Sequence, residues 1–310
     1  MNVQYLRYAV EIAKRGSINK AAEELYVAQP NLSRAIKELE KELNIVIFDR
    51  NAKGMTLTPD GARLVMYGKR ILSEIEEAEK ALRFPTEKKK KFSLSAPRAS
   101  YIGEAFANFS AAINFESDAE ITYRETNSSG VIKNVIEDNY GLGIVRYAGN
   151  YDKYYKQIFE EKDLVYELIT EFGYRLVMNE SCPLAELEEI KYSDLENYVE
   201  IAQADPDAPE FPVSSAKKEE LFDNVRRKIF LFDRANQFDI LAGNADAFMW
   251  ASPVSAETLG RYGLVAKNCR DNDRIYKDVL IYRKNYVLTP FDNLFITELC
   301  RTRRKIFDKK

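Results

Sequence analysis

The chain has 310 residues, 45% of them apolar and 31% charged, a formal net charge of −3 and no histidine. That length suits a small module joined to one or two further domains of ordinary size. Without histidine, Cys/His zinc sites, imidazole acid–base chemistry and Ser-His or Cys-His nucleophile pairs are excluded. No window approaches the apolar run of a membrane span, and the start M-N-V-Q-Y-L-R lacks a basic stretch followed by an apolar one, so a cytoplasmic protein with no membrane partner is expected.

The small net charge conceals a division. Residues 1–91 hold 18 Lys/Arg against 13 Asp/Glu, leaving 28 against 36 for the rest, so the basic part is amino-terminal. A polyanion is a natural partner for it, although Lys88 to Lys91 supply four of those charges and also read as a solvated hinge. Cys182, Cys269 and Cys300 are scattered and odd in number, which suits reduced, buried thiols better than a disulfide framework.

In chain order, Val3, Leu6, Val10 and Ala13 recur at helical spacing, so residues 3–15 read as an amphipathic helix ended by Gly16. Ser17 then offers an N-cap for a second helix to about Tyr26, whose Ala21, Ala22 and Leu25 form a small-residue face suited to close crossing. After a short turn, Pro30 sits in the first turn of a third helix, with Leu32, Ile36, Leu39 and Leu43 on one stripe. Its other side carries Gln29, Asn31, Ser33, Arg34 and Lys37, which can donate to base edges or phosphates in a major groove. Any amphipathic helix has a polar face, so these residues taken singly also fit the surface of an ordinary bundle.

Together they carry more. Ala21 to Leu25 (A-A-x-x-L), Gln29 to Leu43 (Q-P-x-L-S-x-x-I-x-x-L-E-x-x-L), Phe48 to Arg50 (F-x-R) and Gly54 to Gly61 (G-x-x-L-T-x-x-G) follow one another in register. This stretch resembles the amino-terminal domain of LysR-type transcriptional regulators, which implies a winged helix-turn-helix. Asn44 stands where that family usually has Gly and Ile47 where it often has Leu; Asn tolerates the left-handed conformation that ends a helix, so the fold should be unaffected.

Residues 45–58 alternate as a two-stranded wing with its turn at Asn51 to Gly54, returning Ile47, Phe48 and Leu57 to the core and facing Arg50 and Lys53 to phosphates. The expected DNA-facing set is therefore Ser17, Gln29, Pro30, Asn31, Ser33, Arg34, Lys37, Arg50 and Lys53, with Arg34 foremost. Thr58 and Pro59 then open a long helix to about Arg83, stopped by Phe84-Pro85. Leu64, Gly68, Ile71, Ile75, Ala78 and Leu82 step along it at coiled-coil spacing. Leu64, Ile71, Ile75, Ala78 and Leu82 are the expected dimer contacts, with packing against the chain's own second domain as the alternative use of the stripe. The resemblance implies a homodimer or homotetramer reading a near-palindromic site on double-stranded DNA, with the transcription machinery as a further candidate partner.

Beyond the charged hinge at Glu87 to Lys91, strand-like and helix-like stretches alternate, predicting a parallel α/β sheet followed by a second α/β group. The fold class is thus α/β, with an all-α-type winged helix-turn-helix at the amino terminus and a long linker helix; the resemblance implies that the remainder is a two-lobed α/β effector-binding domain. The expected domains are residues 1–58, 59–91 and 92–310. By the resemblance, lobe I comprises 92–163 and 270–310, and lobe II comprises 164–269.

In such sheets ligands gather beyond the carboxyl ends of strands. Three polar turns lie there: Pro97-Arg98-Ala99-Ser100, Thr126-Asn127-Ser128-Ser129 and Ser252-Pro253. Ser100 and Ser129 are also good N-caps. Arg98, Arg124 and Arg146 lie near the ends of the three strands and can pair with a carboxylate or phosphate, or with a surface acid. The candidate effector residues are Arg98, Ser100, Thr126, Asn127, Ser128, Ser129, Arg146 and Ser252, for a small anionic or hydroxylated metabolite.

The acidic runs at Glu186 to Glu189 and at 205–210 suit solvated surface better than a metal site. No phosphate-binding glycine loop and no G-x-S-x-G occur, so neither an enzyme nor a cofactor is expected. Two rivals remain open: the same DNA-binding role driven by thiol oxidation, which needs two of the cysteines within disulfide reach, and a solute-binding receptor without regulatory function.

Overall fold

A computed structural model of the chain describes residues 2–51, 54–83, 90–113, 118–203, 225–232 and 234–308. Two compact units result, Met1–Lys88 and Lys89–Lys310.

The first unit opens with three helices, α1 (Val3–Arg15), α2 (Ile18–Glu24) and α3 (Gln29–Leu43). Each boundary has a local cause. Asn2 caps α1 and Ser17 caps α2 through side-chain oxygens, and Asn44 closes α3 in the left-handed conformation at φ 53°, as its short polar side chain permits. Leu32, Ile36 and Leu39 of α3 pack with Ala9 and Ile12 of α1 and with Ala21 and Ala22. Each large aliphatic side chain so buried contributes about 1.5–3 kcal/mol.

The inward face of α1 is Leu6, Ala9 and Ile12, one step round from the expected stripe, and Val3 is exposed. The cause is that α1 is covered on two sides. Ala9 and Ile12 meet the helix-turn-helix core, while Leu6 and Val10 meet α4 (Pro59–Arg83) at Gly68, where an added Cβ would stand 2.9 Å from Leu6 and 3.2 Å from Val10.

The wing forms as expected, β1 (Phe48–Asn51) antiparallel to β2 (Gly54–Leu57), with Phe48 opposite Leu57. Ile47 and Phe48 are buried, but Leu57 is exposed and Met55 fills the place expected of it. The backbone N–H of Met55 donates to the Gly16 carbonyl at 3.0 Å, tying the wing to the end of α1. Thr58 caps α4 by accepting from the Gly61 N–H at 2.9 Å. Gly61 itself lies against the Ile47 carbonyl, whose carbon would be 2.9 Å from any Cβ there, so only glycine fits.

The second unit builds two mixed sheets among the described residues. The first has the order β4 (Ala119–Glu125), β3 (Lys90–Ala96), β5 (Leu142–Ala148), β12 (Tyr276–Arg283), β6 (Leu164–Phe172). Strands β4, β3 and β5 run parallel, whereas β12 is antiparallel to both of its neighbours, so the expectation of a parallel sheet holds only for that half. Helices α5 (Ser100–Ala112), α6 (Ser128–Ile136), α7 (Asp152–Glu161) and, from the chain's end, α10 (Pro290–Phe307) accompany this sheet. Its core joins Phe92, Leu94, Phe109, Ile144, Leu280 and Phe295.

The second sheet has the order β11 (Leu264–Lys267), β7 (Arg175–Asn179), β10 (Ala247–Ala251), β8 (Val199–Gln203), β9 (Arg227–Leu231), with the short helices α8 (Gln237–Ala242) and α9 (Ala256–Arg261). The lobe boundary at 163/164 therefore needs correction. Strand β6 pairs along its length with β12 and belongs to lobe I, so the chain crosses at Gly173-Tyr174. Crossing back follows Cys269, which still bridges to Ile190 of lobe II.

Candidate functional site

In the first unit the polar side of α3 stays open. Gln29, Pro30, Asn31, Arg34 and Lys37 are exposed and Ser33 is half-buried, while Leu32, Ala35, Ile36 and Leu39 face inward. Arg34 forms no salt bridge among the described residues, which leaves its fork of donors for an outside partner. Ser17 is engaged as the cap of α2, accepting the Lys20 N–H at 3.5 Å. The Arg50 side chain and all of Lys53 lie outside the described residues, as do residues 84–89; of the expected hinge at Glu87 to Lys91, Lys90 and Lys91 instead open β3.

Along α4 the expected dimer stripe divides. Gly68 is buried against α1, and Leu64 is half-buried against the helix-turn-helix core. Ile71 and Ile75 are half-buried and Ala78 is exposed; the Leu82 side chain lies outside the described residues.

In the second unit the turns after β3 and β4 come together because their strands are parallel neighbours, Ala96 lying opposite Glu125. The Thr126 N–H donates to the Ala96 carbonyl at 2.9 Å, and the Ser128 hydroxyl donates to the Arg146 carbonyl at 2.5 Å, which adds the end of β5. Asn127 caps α6, its side chain accepting the Gly130 N–H at 2.7 Å, and Ser129 points outward. The capping roles expected of Ser100 and Ser129 are therefore not theirs: Ala99 stands at the N-cap of α5, and Ser100 is turned to a different partner. Ser252 is buried at the carboxyl end of β10 in lobe II.

Arg146 is committed internally rather than open to an effector. Its Nε and Nη2 donate to the two carboxylate oxygens of Asp278 at 2.7 and 2.6 Å, and its Nη1 to the Arg98 carbonyl at 3.3 Å. The pair is buried, at 8% and 0% side-chain exposure, and the guanidinium lies 4.7 Å over the Phe172 ring. Burial alone would lower the Arg146 pKa; the facing Asp278 charge outweighs it and keeps the guanidinium charged. Tyr101 completes the group, donating to Asp278 at 2.5 Å, with its pKa raised by burial and by that carboxylate. This knot sits beside the crossing at Gly173-Tyr174, where Tyr174 meets Tyr276 edge-on at 4.5 Å between ring centres.

Sequence reading missed Arg234 and Glu125. Arg234, from the segment after β9, reaches the lobe I turns: it donates to Glu125 at 2.5 Å, to the Ser100 hydroxyl oxygen at 3.0 Å and to the Ala99 carbonyl at 3.2 Å. Arg98 reaches the other way, donating to the Phe232 carbonyl at 3.1 Å. Glu125 was legible in one respect, because the alternation of β4 sets Ile121, Tyr123 and Glu125 on the covered face and leaves Arg124 exposed.

Cys182 and Cys269 are buried, and burial pushes both thiols up, away from the reactive thiolate. Among the described residues no group of three or more His, Cys, Asp or Glu is placed to hold a metal ion, and no helix is long and apolar enough to cross a membrane. The run Glu186 to Glu189 is solvent-facing, while 205–210 falls outside the described residues.

Residues 3–62 match the family described as bacterial regulatory helix-turn-helix protein, lysR family. The HTH-type transcriptional regulator BsdA of Bacillus subtilis is 48% identical over 79 residues, which is 25% of this chain and 27% of that protein; the chain thus matches about a quarter of the length of such curated relatives. Over the whole chain the likeness is one of fold. The full-length LysR-type regulator LysG of Corynebacterium glutamicum, solved with bound effector Arg, aligns at a TM-score of 0.62 and 13% identity over 97% of this chain and 98% of that one. Full-length CbnR, solved in complex with its target DNA, aligns at a TM-score of 0.53 and 16% identity over 97% and 100%. The amino-terminal domain thus matches the lysR helix-turn-helix family over residues 3–62, and the rest of the chain shares the fold of these full-length regulators.

Proposed function

We propose that the chain is a sequence-specific DNA-binding transcription regulator of LysR type, acting in the cytoplasm as a homodimer or homotetramer and responding to a small molecule bound between the lobes of its second unit. No catalytic step belongs to this reading. The observation that carries it is the amino-terminal half of α3, where Gln29, Asn31, Arg34 and Lys37 are exposed on a helix whose opposite face is locked into the core. Rigid backing lets such a helix present donors to base edges at fixed geometry. Ile71, Ile75 and Ala78 of α4 support pairing of two copies, since a symmetric partner supplies a second reading head for a second half-site. An effector regulates only if it favours one arrangement of the dimer over another.

Footprinting of the full chain on the DNA upstream of its own gene tests the reading. Protection of two half-sites with the symmetry of the dimer, changed in extent by a metabolite, is expected. A single unsymmetric contact, or binding no stronger than to random DNA, contradicts it.

A further inference from the structure

Polar side chains span the lobes, Arg98 to the Phe232 carbonyl and Arg234 to Glu125. Arg234 of lobe II and Glu125 of lobe I neutralise each other in the place where a ligand of such sheets sits, beyond the carboxyl ends of β3, β4 and β9. Both side chains are largely withdrawn from water, at 19% and 21% exposure, so parting them without replacement costs more than breaking a surface pair. Each also has secondary partners. The Arg234 guanidinium has the Ser100 hydroxyl oxygen and the Ala99 carbonyl, and Glu125 accepts from the Tyr123 hydroxyl at 2.9 Å.

An incoming molecule must therefore satisfy two opposite charges. A neutral molecule strands both. A simple carboxylate takes Arg234 and leaves Glu125 with the Tyr123 hydroxyl alone; a simple amine takes Glu125 and strands Arg234. A molecule with both groups strands neither: its carboxylate accepts from Arg234 and from the Ser100 hydroxyl, and its ammonium donates to Glu125 and to the Ala99 carbonyl that Arg234 releases. We propose that the Arg234–Glu125 bridge is the ligand-free stand-in for a zwitterionic effector of the amino-acid class, which divides the pair and replaces each half for the other. This rests on the reading that the second unit binds a small-molecule effector, and it narrows that ligand from anionic or hydroxylated to zwitterionic.

Thermal unfolding of the full chain tests it, with the proteinogenic amino acids one at a time at millimolar concentration as probes. For each that shifts the midpoint, its deaminated acid and its decarboxylated amine follow. At least one amino acid should raise Tm by roughly 5 °C at a large excess over Kd, with little effect from either truncated relative. Arg234→Lys and Glu125→Gln, which keep the side-chain bulk, should each weaken that response roughly tenfold or more in half-saturating concentration. Arg124→Ala, at the exposed neighbour, should leave it unchanged.

The proposal is overturned if no amino acid shifts the midpoint, if a truncated relative acts as strongly, or if both bridge variants respond like the parent. A wider metabolite panel separates this failure from that of the effector reading. A ligand of another class that stabilises the full chain sinks only the zwitterion, and silence across the panel sinks both.

Discussion

Replacing Asp278 by Asn keeps the shape of a fully buried side chain while removing its charge and turning one acceptor oxygen into a donor. Arg146, at 8% exposure, then faces a neutral amide where two carboxylate oxygens had accepted at 2.7 and 2.6 Å, and Tyr101 loses a charged acceptor. Removing one partner of a buried pair leaves the other charge uncompensated and costs about 3–5 kcal/mol. For a unit of this size, each kcal/mol lowers Tm by about 2–4 °C, so a fall of roughly 6–20 °C is expected. The protein's one tryptophan, Trp250, lies on β10 of the second unit and reports its unfolding by fluorescence.

The double variant Arg146→Met with Asp278→Leu should recover much of the loss, since both charges leave together. A fall of less than about 2 °C for Asp278→Asn would refute the buried-knot account. If that variant instead kept its stability and lost response to a metabolite, Arg146 would be an effector anchor after all.

Gly61→Ala should destabilise the first unit by about 2 kcal/mol, because overpacking against the Ile47 carbonyl outweighs the better helix propensity of Ala; circular dichroism melting of the full chain checks this, and an unchanged midpoint contradicts it. Ile75→Lys on α4 should shift the mass seen by sedimentation velocity towards the monomer, whereas an unchanged assembly would move the dimer contact elsewhere. Tyr101, Tyr123, Tyr147 and Tyr286 all have pKa values raised above 10.0, by burial first and then by Asp278, Glu125, Asp152 and Asp292 respectively. A raised folded-state pKa contributes stability that is intact below the unfolded value and is lost as pH climbs above it. Stability should therefore hold up to about pH 10 and decline beyond it, with tyrosinate absorbance from these four appearing only on unfolding.

What the sequence disclosed follows the range of the interactions. Ser17, Asn44 and Thr58-Pro59 form their caps with backbone within four residues of themselves, so the helix boundaries they set were readable. The position of β6 was not, because its partner β12 lies about a hundred residues onward and only pairing assigns it to lobe I. The phase error on α1 arose because one stripe was sought where two faces are covered, one by α3 and one by α4. Arg146 looked like an anion binder for want of its partner Asp278, 132 residues away. Arg234 carried no local signal, since nothing in F-D-R-A-N announces a carboxylate 109 residues upstream.

The proposed docking of α3 on DNA, with Arg34 among its contacts, is tested most directly by the affinity of the full chain for its upstream DNA as a function of salt, with and without Arg34→Ala. Phosphate contacts release counterions, so log K should fall linearly with log salt; if Arg34 meets a phosphate the variant's slope should be shallower by about 1, and if it meets a base edge the variant should lose about 1–3 kcal/mol of discrimination at one position. Binding that ignores both salt and Arg34→Ala would contradict the account.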